Sequence, residues 1–154
     1  MKENFVIKKP VFPPTYLLVS IILMLALHFL FPGALVIPAP WNLLGLIPVG
    51  LALWIEFNAD GEFHRAKTTV NPCEESSALV TGGVFSITRN PMYLGFVMIM
   101  VGIAMLLGSL TPYFMIVVFV VLIERRFIRF EEKKMEQQFG QAYLEYRKKV
   151  GRWI

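Results

Sequence analysis

With 154 residues, 56% of them hydrophobic, a net charge of +4 and a mean hydropathy of +0.59, the chain is too apolar for an ordinary soluble domain of its size. Its basic residues gather beside apolar runs, so the isoelectric point near 9.3 suits a membrane face, and no nucleic-acid partner is expected. Cys73 is the only cysteine, which excludes an internal disulfide and reads as an ordinary free thiol.

Four apolar runs follow one another at residues 16–31, 43–57, 92–107 and 112–123. A bilayer-spanning helix needs about 20 residues, with roughly 17 as the short limit. Spans are therefore expected at about 15–31, 42–58, 91–108 and 109–125, the last completed by Ser109-Leu110-Thr111. The fold class is all-α: a polytopic membrane protein of about four transmembrane helices in one domain over 1–154. Charged residues are absent from 32–42 and 108–111. Lys2, Lys8 and Lys9 precede the first span, and His64, Arg65, Lys67 and Arg89 lie between the second and third. Arg125, Arg126, Arg129, Lys133 and Lys134 follow the fourth. Positive residues stay on the cytoplasmic side. Both termini and the central loop are then expected inside, in a prokaryotic inner membrane. Pro10, Pro13 and Pro14 separate the basic start from the apolar run, unlike a cleaved signal peptide.

Phe31-Pro32-Gly33 marks the end of the first helix, and Trp41 suits a headgroup anchor before the second. Asn58-Ala59-Asp60-Gly61 predicts an end or bend of the second helix. Asn71-Pro72 and Gly82-Gly83 divide the polar loop 62–89, and Pro91 opens the third helix, where its missing N–H is harmless. Beyond Glu124, Phe127, Met135, Phe139, Tyr143, Tyr146 and Val150 form a stripe. It predicts cytoplasmic C-terminal helices over 126–150, amphipathic, broken near Gly140 and lying along the membrane face.

Three groups of residues could carry chemistry. Arg89-Asn90-Pro91-x-Tyr93 places a cation at a helix start, which suits a carboxylate; a snorkelling arginine and an interfacial tyrosine would look the same. Glu131 occupies the gap in the aromatic stripe, where a carboxylate needs a partner or ligand. With Glu132 it would suit an ammonium or sulfonium. Phe139-Gly140-x-x-Tyr143-x-x-Tyr146 and Val150-x-Arg152-Trp153 form the third group. His28 reads as a packing histidine. Glu56 is an intramembrane acid near the end of the second span, close enough to reach the interface. Gly102 and Gly108 read as close helix packing. There is no HExxH, P-loop or Cys/His spacing, so no metal is expected.

Together with Leu79, Gly82 and Phe85, these motifs resemble the integral-membrane methyltransferases typified by isoprenylcysteine carboxyl methyltransferase, with phospholipid N-methyltransferases as relatives. The pattern runs from about Thr69 to Trp153. The resemblance implies S-adenosylmethionine as methyl donor and a lipophilic or lipidated acceptor, such as an isoprenylcysteine-like carboxylate, taken from the bilayer. It assigns cofactor binding to Asn90, Pro91, Tyr93, Leu94, Gly95, Glu131 and Glu132. Arg89 would act in catalysis by orienting a carboxylate of the acceptor or the cofactor. Asn90 stands where the family usually has His, so a general base is not expected there. Two other classes compete: an NADPH-dependent membrane reductase of sterol-reductase type, and a non-enzymatic four-helix transporter or scaffold.

Overall fold

The computed structural model describes residues 12–68 and 77–154. Cys73, the Asn71-Pro72 break and Lys2, Lys8 and Lys9 lie outside the described residues. Helix α1 spans Pro13–Leu30. Prolines fill its first turn, whose N–H groups have no helical partner. A short 3-10 turn, Trp41–Gly45, leads into α2, Leu46–Arg65. Helix α3 runs Pro91–Leu107 and stops at Gly108, whose φ of +72° is left-handed. Helix α4, Thr111–Ile123, continues through one π-helical turn, Glu124–Ile128, into α5, Arg129–Phe139. Gly140, with φ +53°, turns the chain into α6, Gln141–Lys149.

Two sequence expectations change. Helix α2 passes through Asp60-Gly61 and ends only at Arg65. Beyond its apolar part it is sustained by local pairs: Asn58 Nδ2 donates to the Trp54 carbonyl at 2.7 Å, the His64 ring lies 2.9 Å from the Asp60 carbonyl, and Arg65 pairs with Glu62. The aromatic stripe of the C-terminal segment also does not lie open along a membrane. Tyr143, Tyr146 and Val150 are buried together and packed by Leu79, Met135 and Phe139. The turn at Gly140 lets α5 and α6 close on the loop before α3, so protein covers the stripe.

Helix α3 is central: α2 packs along it, while α1 packs on α4 and touches α3. The core is Met24, Phe96, Met100, Ala104, Met115, Phe119 and Ile123. Outward, the bundle is just as apolar, exposing Leu18, Ile22, Phe29, Leu46, Ile47, Leu53, Phe57, Phe114, Val117 and Val121. Pro13–Leu30 and Trp41–Arg65 are long and apolar enough to cross a membrane; α3 is a shorter apolar helix. The two short connections meet at one end. Val36 and Ile37 N–H donate to the Gly108 carbonyl at 2.8 and 3.1 Å, and Leu110 N–H donates to Ala34 at 3.0 Å. His28 bonds Ser109 Oγ there at 2.7 Å, as a packing histidine would.

The α2–α3 seam depends on glycine. A methyl group at Gly102 would lie 2.6 Å from the Gly45 carbonyl oxygen and 2.5 Å from Val49 Cγ2. One at Gly50 would meet nothing within 4 Å. In a reversible SDS-unfolding titration, Gly102→Ala is expected to destabilise by about 1–3 kcal/mol through overpacking. Gly50→Ala should be neutral or slightly stabilising, because alanine is the better helix former. Equal responses at the two positions would refute the close seam.

Candidate functional site

The residues before α3 are stapled to the C-terminal tail. Thr88 is buried and forms a parallel bridge with Gly151. Arg89 N–H donates to the Gly151 carbonyl at 3.0 Å. Thr88 Oγ1 and Asn90 Nδ2 both donate to the Arg152 carbonyl, at 3.2 and 3.0 Å. Tyr146, on α6, donates its hydroxyl to the Phe85 carbonyl at 2.6 Å. Burial pushes its phenol up to about 12, against the pull of Arg89. These bonds determine where α3 starts and which way its first turn faces.

A buried ion network lies against that start. The Arg89 side chain is only 8% exposed; it sits 3.0 Å from Glu132 Oε1 and donates to the Tyr143 hydroxyl at 3.1 Å. Arg152 grips both oxygens of Glu132, at 2.9 and 2.7 Å, and reaches Glu124 at 2.9 Å. Glu132 thus stands between two guanidinium groups, the arrangement a buried carboxylate requires. Its bonds to Arg152 also raise the pKa of that guanidinium.

Glu131 points elsewhere. Tyr93, in the first turn of α3, donates to Glu131 Oε1 at 2.6 Å. Both residues line a cavity of about 420 Å³. Arg89, Asn90, Glu132, Lys134 and Tyr143 complete its polar side, while Phe12, Phe63, Leu79, Val80, Pro91, Met92 and Phe96 make the other side apolar. The Arg89 Nε atom is buried and has no hydrogen-bond partner.

Of the residues expected at a site, Arg89, Asn90, Pro91, Tyr93, Glu131 and Glu132 are brought to this one cavity. Leu94 and Gly95 are not among its lining. Gly95 faces α2, where the Glu56 carboxyl fills the space a side chain would need. Glu56 therefore packs within the seam, its Oε1 buried without a partner, and does not simply reach the interface. Sequence reasoning placed Arg152 in a candidate group without giving it a partner, and it gave no role to Glu124 or, apart from Leu79, to the apolar wall. Met92 and Phe96, spaced i and i+4, share a helix face with Tyr93 beside it, and that spacing was a usable signal. Nothing local marks Phe12 or Phe63.

The phospholipid methyltransferase family profile matches residues 41–142, from the turn before α2 into α6. The chain belongs to the phospholipid methyltransferase family. It is 40% identical over 81 residues to the protein-S-isoprenylcysteine O-methyltransferase of Saccharomyces cerevisiae, covering 51% of this chain and 33% of that protein. It is 40% identical over 79 residues to protein-S-isoprenylcysteine O-methyltransferase B of Arabidopsis thaliana, covering 50% of this chain and 39% of that protein. An uncharacterized protein of Haemophilus influenzae is 32% identical over 63 residues, 41% of this chain and 100% of its own length. The chain thus spans well under half the length of the two named methyltransferases. No solved structure matches it significantly. In this phospholipid methyltransferase family member, Tyr143, Tyr146 and Arg152 lie beyond the matched residues yet reach into the site.

Burial raises the Glu131 carboxyl above its ordinary value of 4.5, and the Tyr93 hydrogen bond and Lys134 oppose this without reversing it. A carboxyl raised in the folded state contributes its full stability below the unfolded value and loses it as pH rises through the folded value. Glu131→Gln should therefore match the parent's thermal midpoint in acid, below about pH 4, the unfolded carboxylate range. At pH values above the raised one it should exceed the parent. A midpoint difference that grew toward acid would contradict this reading.

Proposed function

We propose that the protein transfers a methyl group from S-adenosylmethionine to a lipophilic acceptor at the cytoplasmic membrane face, and that the cavity beside Glu131 and Arg89 is where it does so. One observation carries the reading. The cavity has a carboxylate not engaged by the arginine network, a buried guanidinium Nε–H lacking an acceptor, and a facing apolar wall. The donor set fits an amino-acid-bearing cofactor: Glu131 and Tyr93 suit its ammonium end, and Arg89 suits a carboxylate. When bound, S-adenosylmethionine supplies a methyl group on a sulfonium whose thioether needs no protonation to leave.

The chain's own part is binding, alignment and exclusion of water. Glu132 is committed to Arg89 and Arg152, so Glu131 is the carboxylate available for a ligand cation. The Asn90 amide donates to the Arg152 carbonyl and carries no titratable proton. With no base at that position, the acceptor must arrive already nucleophilic. An ionised carboxylate on an isoprenylcysteine-like or other amphipathic substrate meets that condition at neutral pH. Its tail would enter past Phe12, Met92 and Phe96, and the names of the isoprenylcysteine methyltransferase relatives support a lipidated acceptor.

In this reading α1, the helix Trp41–Arg65, α3 and α4 are four spans of one domain, with α5 and α6 cytoplasmic. Meeting of the two short connections at one end supports an even number of crossings. The positive-inside rule sets the orientation, since the basic residues lie at the opposite end.

Calorimetric titration of the detergent-purified protein with S-adenosylhomocysteine is expected to show saturable binding, with none for NADPH. Glu131→Ala and Arg89→Ala should each weaken it by about tenfold to a hundredfold, the scale of a hydrogen bond to a charged group. Unchanged affinity in both variants sinks the site assignment. Binding of NADPH alone would make the protein a reductase.

A further inference from the structure

We infer that a groove between α1 and α4, headed by Arg125 and Arg126, is a docking site for an anionic phospholipid. Its floor is Val117, Val118, Val121 and Leu122 of α4, and its flank is Tyr16 of α1. It lies apart from the cavity described above; the two share no lining residue.

The arginines at its head differ from the rest. Among the described residues, Arg65 pairs with Glu62, Arg89 and Arg152 with Glu132, Arg129 with Glu124 and Arg147 with Glu136. Arg125 and Arg126 are exposed, and neither has a carboxylate partner there. Glu124, their neighbour, is engaged by Arg129 and Arg152. Two adjacent cations therefore remain uncompensated at the point where an apolar groove ends. Both belong to the π-helical turn, which widens the helix as it leaves the apolar run.

An acyl chain fits the floor, since Val117 and Val121 are exposed apolar side chains. The phosphate of the same molecule fits the arginines, which match phosphate geometry better than lysines do. Tyr16 makes the flank firm, because its ring stacks edge-on against Phe127 at 5.3 Å. A lipid with no net charge would satisfy the floor and leave the two cations uncompensated. Charge complementarity therefore selects an anionic headgroup.

The inference rests on the membrane placement proposed above. Native mass spectrometry of the full chain released from micelles containing phosphatidylglycerol and phosphatidylcholine of matched acyl chains tests it. The wild-type protein should retain one phosphatidylglycerol in preference to phosphatidylcholine. Arg125→Gln with Arg126→Gln should reduce that retention by about tenfold or more, given the strength of juxtamembrane basic residues. Arg125→Lys with Arg126→Lys, which keeps the charge and loses the planar fork, should retain an intermediate amount. Arg65→Gln with Arg147→Gln, which removes the same charge elsewhere, should leave it intact. Equal retention of both lipids, loss in the Arg65 and Arg147 control, or displacement by millimolar inorganic phosphate alone would each overturn the site. Alkaline extraction of cell membranes separates the two proposals. Protein that stays with the membrane yet shows no lipid preference refutes the groove alone, whereas protein that is released refutes the placement.

Discussion

Glu132 is a buried carboxylate, and its neutralisation organises the whole polar end of the molecule. A charge in that position is tolerated only if cations reach it with good geometry. They come from Arg89, ahead of α3, and from Arg152, near the end of the chain. Three segments far apart in sequence are thereby drawn together. The backbone bridge between Thr88 and Gly151 and the bonds to the Arg152 carbonyl complete the junction. Adjacent residues on a helix point about 100° apart. Holding Glu132 against its arginines therefore turns Glu131 away from them, toward Tyr93 and the cavity.

A second constraint acts within the apolar part. On the proposed membrane placement, helices that face lipid gain little from burying more hydrocarbon, and close backbone approach is what holds them together. Gly45, in the turn that leads into α2, and Gly102 allow that turn and α3 to meet carbonyl against Cα. Gly95 continues the seam, and the room it leaves is taken by Glu56. This explains why Gly95, two residues beyond Tyr93, does not face the cavity. Asn90, just ahead of α3, and Met92 and Tyr93 in its first turn face the site, and the next turn serves packing, apart from Phe96. The glycine that looked like part of a binding motif serves the approach of two helices.

Much of this was legible in the residues. The apolar runs marked four helices, and Pro91 and Gly140 marked boundaries because their backbone preferences are local properties; Gly108, read as a packing glycine, is also the left-handed end of α3. The boundary of α2 was misread at Asp60-Gly61, since turn-forming residues there are outweighed by i,i+3 and i,i+4 pairs on the same helix. The gap that Glu131 leaves in the aromatic stripe drew attention to it, and its carboxyl meets Tyr93 at the cavity. That stripe was assigned to a membrane surface because periodicity shows that a face is apolar without showing what covers it.

The sequence by itself determined the all-helical class and the family, and it singled out Arg89, Asn90, Tyr93, Glu131 and Glu132 as candidates for one site. These follow from local patterns: uninterrupted apolar lengths, helix-breaking residues and short motifs in a given order. Only the tertiary structure decided that Glu132 belongs to an arginine network while Glu131 faces the cavity, that Arg152 completes that network, and that Glu56 rests on Gly95. Those outcomes depend on which charges can be neutralised across tens of residues once the helices pack, and no window along the chain contains both partners.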